Sequence, residues 1–143
     1  MFAPPAMSRN TSNAFAGAYR TIGVETGVDG ASPHRLVAML FEGFGDALAQ
    51  ARTAMSKREI EAKCRAITKA VRIVDEGLRA NLDVVAGGKL ARDLADLYGY
   101  ITIRLTQANL RNDPAALDEC AALMEPVRQA WAAIDPRASG KVQ

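Results

Sequence analysis

The chain has 143 residues, 49% of them hydrophobic, which is enough to bury one core and too little to suggest two domains. Its 18 basic and 16 acidic side chains leave a formal charge of +2, without the strong positive field that a phosphate backbone demands, so nucleic acid is not an expected partner. No run approaches the roughly 20 apolar residues of a membrane span, and Met1 to Asn10 lacks the charged-then-apolar order of a secretion signal, so a cytoplasmic protein with no membrane insertion is expected.

Aromatic residues are scarce at 6%, β-branched runs are absent and alanine is abundant. That composition favours helices packed through aliphatic ridges, and an all-α fold is expected. From Met1 to about Ala18 the chain is rich in Ala, Pro, Ser, Asn and Gly without apolar periodicity. Residues 1–30 therefore read as a flexible N-terminal segment. Within it, Tyr19, Ile22 and Val24 form a short apolar cluster ahead of a Gly27-Val28-Asp29-Gly30 turn, and this cluster is expected to fold back and cap the body.

Helix one is predicted to start at Ser32-Pro33, where a serine oxygen can cap the first turn and proline needs no donor. Its apolar stripe is Val37, Phe41, Phe44, Leu48, Ala51 and Met55, at alternating spacings of four and three. Ser56-Lys57-Arg58-Glu59 fits a capping box and predicts the entrance of helix two, whose stripe is Ile60, Cys64, Ile67, Val71, Val74 and Leu78. After Gly87-Gly88, helix three carries Leu90, Leu94, Leu97, Ile101, Leu105 and Ala108, with a one-residue phase slip near Arg104. Asn112-Asp113-Pro114 predicts a tight corner into helix four, which carries Leu117, Cys120, Met124, Val127, Trp131 and Ile134. Pro126 predicts a kink there, and Asp135-Pro136 an end. An antiparallel up-down four-helix bundle over residues 31–135, with a polar tail at 136–143, buries all four stripes at once.

Reactive chemistry is sparse. Cys64 and Cys120 are far apart, with no CxxC spacing and no neighbouring histidine, and read as core residues. The Glu-x-x-His spacing of carboxylate-bridged metal bundles does not occur, and there is no Gly-rich phosphate loop. No cofactor, no metal and no catalysis are expected. His34 raises the alternative of a histidine phosphotransfer bundle, but it falls in a first helical turn rather than mid-helix, which favours a capping or packing role.

Two features point to a binding surface. Gly43, Gly45, Gly77 and Gly99 fall inside predicted helices, where each costs about 1 kcal/mol relative to alanine. Tight packing inside the bundle explains any one of them; for the set, a shallow groove in which a partner lies against bare backbone is the stronger reading. Leu36, Met39, Leu40, Ile73, Tyr98, Tyr100, Ile103 and Leu110 are apolar but lie outside the four stripes. Leu36 and Leu40 read as extra core, while Met39, Tyr98, Tyr100 and Ile103 are better placed to accept amphipathic segments.

Several runs of this sequence resemble the flagellin export chaperone family (FliS). They are Ala31 to Gly43 (ASPHRLVAMLFEG), Ile73 to Asp83 (IVDEGLRANLD) with Gly87-Gly88, Leu94 to Ile101 (LADLYGYI), and Ala108 to Asp113 (ANLRND). The similarity spans roughly Tyr19 to Ile134, in order and spacing. It implies a cytoplasmic chaperone that binds the disordered C-terminal region of flagellin, blocks premature polymerisation and delivers it to the flagellar type III export gate. An export-gate component and a co-chaperone are the further partners it allows. The client groove expected on this basis comprises Met39, Gly43, Ile73, Gly77, Tyr98, Tyr100, Ile103 and Leu110, with Tyr19, Ile22 and Val24 as its N-terminal cap. Gly99 stands where the family usually has an acidic residue.

Overall fold

The computed structural model describes residues 30–134. Tyr19, Ile22 and Val24, the expected cap, and the expected tail at 136–143 lie outside the described residues. Four helices follow one another with short connections and no strand among the described residues: α1 Pro33–Lys57, α2 Ile60–Arg72, α3 Val84–Arg111 and α4 Pro114–Ala133. A π-helical turn, Ile73–Arg79, prolongs α2. In packing, α1 touches α2 and α4, and α3 touches α2 and α4. The helices therefore form a closed ring, each antiparallel to its neighbours, as the four stripes require.

The caps explain where helices begin. Ser32 Oγ accepts the Arg35 amide and Pro33 takes the first helical position of α1. Asp113 does the same for α4, accepting the Ala115 amide ahead of Pro114. Asn112 closes α3 in the left-handed conformation, with φ 50° and ψ 51°. The corner between α3 and α4 thus uses both residues as caps, as read from the sequence.

One expectation about helix ends is corrected. Ser56 does not open α2; it lies in the last turn of α1, and its hydroxyl donates to the Thr53 carbonyl. The chain turns instead on Arg58, at φ 58°, with the Arg58 amide donating to Met55 and the Glu59 amide to Ala54. This pairing of the last carbonyls ends α1 in a Schellman motif. A turn of helix opens α3 at Val84, with Asp83 accepting the Ala86 amide, and it breaks at Gly88, whose backbone is non-helical at φ 58° and ψ -136°, so the expected Gly87-Gly88 break stands and the long helix runs on from there. Only glycine adopts that conformation without strain. Pro126 stands inside α4, which runs from Pro114 to Ala133 and gives way to extended backbone at Ile134, just ahead of the expected Asp135-Pro136 stop.

The core is the inner faces of all four helices. Leu40, Ile67, Ile73, Val74, Ile101, Leu105, Leu117 and Cys120 are its fully buried side chains. Burying an aliphatic side chain of this size contributes about 1.5–3 kcal/mol. Ile101, Leu105 and Ala108 are all buried, so the phase slip near Arg104 is real and the stripe continues across it. Ile60 and Leu90, assigned to stripes, are instead exposed. Ile60 opens α2 and Leu90 stands two residues past the Gly88 break, so both lie where a helix starts.

Gly77 marks the tightest approach. A Cβ there would stand 2.8 and 3.0 Å from the Leu40 Cδ atoms, so α1 and the π-turn come together only because the position is bare. The packing reading therefore holds at Gly77. Gly45 differs: a Cβ there would meet nothing within 4 Å.

Candidate functional site

The eight residues expected to line a groove separate into two groups. Met39 and Tyr98 are 5% and 3% exposed, Ile73 is completely buried, and Gly43 and Gly77 are buried with them. Met39 and Tyr98 are thus corrected from surface to core. The reason is the width of the buried arc: Leu36, Met39 and Leu40 all pack inward beside the main stripe of α1, so the core takes more of that helix than a 100° stripe would. Burial also pushes the Tyr98 phenol up to about 12. Leu36 and Leu40 are core, as read from the sequence.

Tyr100, Ile103 and Leu110 form the second group, exposed by 45%, 58% and 81%. They sit on one helix at spacings of three and seven, which puts them on one face of α3, with Ile103 one turn from Tyr100 and Leu110 two turns beyond Ile103. The strip is held at its α4 edge by a polar cluster. The Tyr100 hydroxyl donates to Glu119 Oε2 at 2.5 Å, Arg104 Nε donates to Glu119 Oε1 at 2.8 Å, and Arg104 also reaches Gln107. The Tyr100 hydrogen bond first, and the Arg104 one second, hold the Glu119 carboxyl below the usual glutamate range. The same hydrogen bond raises the Tyr100 phenol. The ring of Tyr100 is thereby fixed with its apolar face presented and its hydroxyl satisfied.

On the α2 side, the Arg79 guanidinium lies over Gly99, where a Cβ would meet Nη1 and Nη2 at 3.5 Å. Gly99 is thus in reach of a cation. Arg79 has a distant partner in Asp75 Oδ1 at 3.8 Å, an oxygen that is buried without a hydrogen bond. Nothing in the spacing of the sequence singles out Arg79.

Lys63 is another residue that periodicity did not single out. It is the one buried charged residue among those described, and its Nζ donates to the Asn109 carbonyl and to Asn112 Oδ1 at the end of α3. A cation is favoured there because the last carbonyls of a helix carry partial negative charge. The Cys64 thiol donates to Asn109 Oδ1, 3.5 Å away. Asn109 and Asn112 are thus engaged in holding α3 to α2. Cys120 is buried, and burial pushes its thiol up to about 11.

His34 is held from both sides. Its Nε2 donates to the Trp131 carbonyl at 2.9 Å, the Trp131 indole N–H donates to the His34 carbonyl at 3.0 Å, and the rings stack with centroids 5.1 Å apart. A nitrogen that carries a proton toward a carbonyl is no nucleophile, so the packing role assigned to His34 is the one its geometry supports. Among the described residues no group of three His, Cys, Asp or Glu could hold a metal ion, and no helix is long and apolar enough to cross a membrane.

A ring of four helices, with His34 clasped to Trp131 and an apolar strip exposed on α3, defines a helical-bundle protein with an exposed apolar outer face. The chain belongs to the FliS family of flagellar secretion chaperones. The family model described as "Flagellar protein FliS" matches residues 15–138. The chain is 45% identical over 122 residues to the flagellar secretion chaperone FliS of Salmonella typhimurium, covering 85% of this chain and 90% of that one. It is 43% identical over 114 residues to FliS of Escherichia coli, covering 80% and 84%. It is also 43% identical over 113 residues to the flagellar secretion chaperone FliSB of Pseudomonas aeruginosa, covering 79% and 89%.

Proposed function

We propose that this protein is a cytoplasmic chaperone that binds the disordered C-terminal region of flagellin, prevents its premature polymerisation and delivers it to the flagellar type III export gate. The observation that carries the reading is the exposed strip Tyr100, Ile103 and Leu110 on α3, in a chain of this family. A bundle this small cannot enclose a client. It can offer an outer face on which a disordered segment folds as a short amphipathic helix, its apolar side chains meeting the strip. Ordering the segment opposes binding, so the contact has to be wide and extends to the neighbouring Gly99 and Arg79.

Co-expression with the flagellin of the same organism is expected to give a one-to-one complex. Ile103→Asp weakens it at least tenfold, because a carboxylate replaces an apolar contact, while leaving the thermal midpoint within about 2 °C of the parent, since the residue is exposed. Undiminished binding by Ile103→Asp and Leu110→Asp would remove α3 from the client surface. The phosphotransfer alternative predicts phosphate uptake at His34, which the proton on Nε2 and the clasp to Trp131 oppose.

A further inference from the structure

Three of the four seams of the ring are clasped by side chains reaching across them. Lys63 ties α2 to α3, Tyr100 and Arg104 tie α3 to Glu119 of α4, and Arg52 with Asp118 and His34 with Trp131 tie α4 to α1. Among the described residues no side-chain hydrogen bond or ion pair crosses the α1/α2 seam; the polar links there are the backbone bonds of the Arg58 turn. An open groove of about 500 Å³ runs along this seam. Ala54 and Ala66 are buried at its floor, and Ala49 and Ala62 stand on its two banks. Arg65 and Lys69 line its α2 side, and neither meets an acid or a hydrogen-bond acceptor among the described residues. Arg72, one turn after Thr68, does pair, with Glu76. Glu59 is the single carboxylate on the lining, and it sits by the Arg58 turn at the groove's end.

We propose that the α1/α2 seam is a second docking surface, one that takes an acidic amphipathic helix of a partner protein. Alanine on both banks lets a third helix approach to the 8–10 Å that helix packing requires, at the near end of that range. Residues four apart stand about 6 Å apart along a helix. Arg65 and Lys69 thus match two carboxylates placed at the same spacing on a helix lying beside α2, and each meets its counter-charge. A second copy of this chain fits poorly, because a two-fold pairing sets the same patch against itself and brings these cations toward their own kind. The seam lies across the ring from the α3/α4 seam, so both faces can be filled at once. The proposal does not rest on the client reading.

The test uses the full ¹⁵N-labelled chain and two synthetic alanine-rich helical peptides. One carries glutamate at two positions four apart on one face, and the other carries lysine at the same positions. The glutamate peptide is expected to shift the amides of Ala49, Thr53, Ala62 and Ala66, and to bind at least tenfold more tightly than the lysine peptide. In the double variant Arg65→Glu, Lys69→Glu the preference reverses, and in Arg65→Ala, Lys69→Ala it disappears, with far-UV circular dichroism unchanged in both. A saturating flagellin C-terminal peptide leaves the shifts in place. Equal binding of the two peptides, shifts confined to α3, an unchanged preference in the reversed variant, or concentration-dependent self-association through the same amides would each overturn the proposal.

Discussion

Gly77 and Leu40 give a quantitative test of how α1 and the π-turn are held. Replacing Gly77 with alanine brings two opposed effects. Alanine is favoured over glycine by up to about 1 kcal/mol in a helix interior. Against this, the new Cβ would lie 2.8 Å from one Leu40 Cδ and 3.0 Å from the other. Leu40 has no exposed surface, so its methyl groups cannot swing into solvent, and crowding of this kind typically costs about 1–3 kcal/mol. Crowding wins, and Gly77→Ala is expected to destabilise by about 1–2 kcal/mol. Leu40→Ala alone opens a cavity and destabilises by about 2–5 kcal/mol. With Leu40 trimmed, the clash disappears and the methyl introduced at position 77 partly refills the space. In that background Gly77→Ala is therefore expected to stabilise, by about 0.5–1 kcal/mol. Urea titrations followed by circular dichroism at 222 nm measure all four corners of the cycle, and the coupling should exceed about 1 kcal/mol. An effect of Gly77→Ala that is the same with and without the Leu40 side chain would show that the close approach is not what keeps position 77 bare.

Three further outcomes follow from buried or coupled groups. Lys63→Met keeps the aliphatic stem but leaves the Asn109 carbonyl without its donor, and should lower stability by about 1–3 kcal/mol in the same urea titration. Tyr98, held near 12 against about 10 in an unfolded chain, keeps its proton in the fold after the unfolded form has lost it, so its contribution is complete below pH 10 and lost as pH rises to 12. The loss is about 2–3 kcal/mol, and Tyr98→Phe should flatten that alkaline decline in pH-dependent melting. Glu119 has the opposite sign: its carboxyl is held below the ordinary range, so its contribution is present at neutral pH and disappears as pH falls through the lowered value. The difference in melting point between the parent and Glu119→Gln should accordingly shrink to nothing in acid.

Much of the fold was legible because its signals are local. Ser32-Pro33 and Asp113-Pro114 cap helices wherever they occur, and a stripe spaced by four and three admits one buried face. The errors arose where two local signals compete. Ser56 to Glu59 satisfies a capping-box pattern, yet the four residues are used to end α1, because the Schellman hydrogen bonds satisfy the last carbonyls of a long helix and Arg58 tolerates the left-handed turn. Ile60 and Leu90 have the right phase but lie where helices start, and phase alone does not say that a position at a helix start is covered. The candidate surface was half legible. Tyr100, Ile103 and Leu110 are outside the stripe and exposed, whereas Met39 and Tyr98 are outside it and buried, since the width of a core depends on how closely neighbours approach. Gly77 is one cause of that closeness. Lys63 and Arg79 make contacts 46 and 20 residues along the chain, which periodicity within a helix cannot register.

The π-turn at Ile73–Arg79 has a consequence for insertions and deletions. The Ala80 amide bonds to the Asp75 carbonyl, five residues back, so the chain here holds more residues per turn than a regular helix uses. Removing one residue from an ordinary stretch of helix, such as the middle of α2, turns everything after it by about 100° around the axis. Removing one from the π-turn instead lets the widened coil tighten to regular geometry, and the chain beyond it keeps nearly the same facing. This stretch is therefore the place in the bundle where the length of the chain can change by one while the corner on which α3 hangs stays where it is.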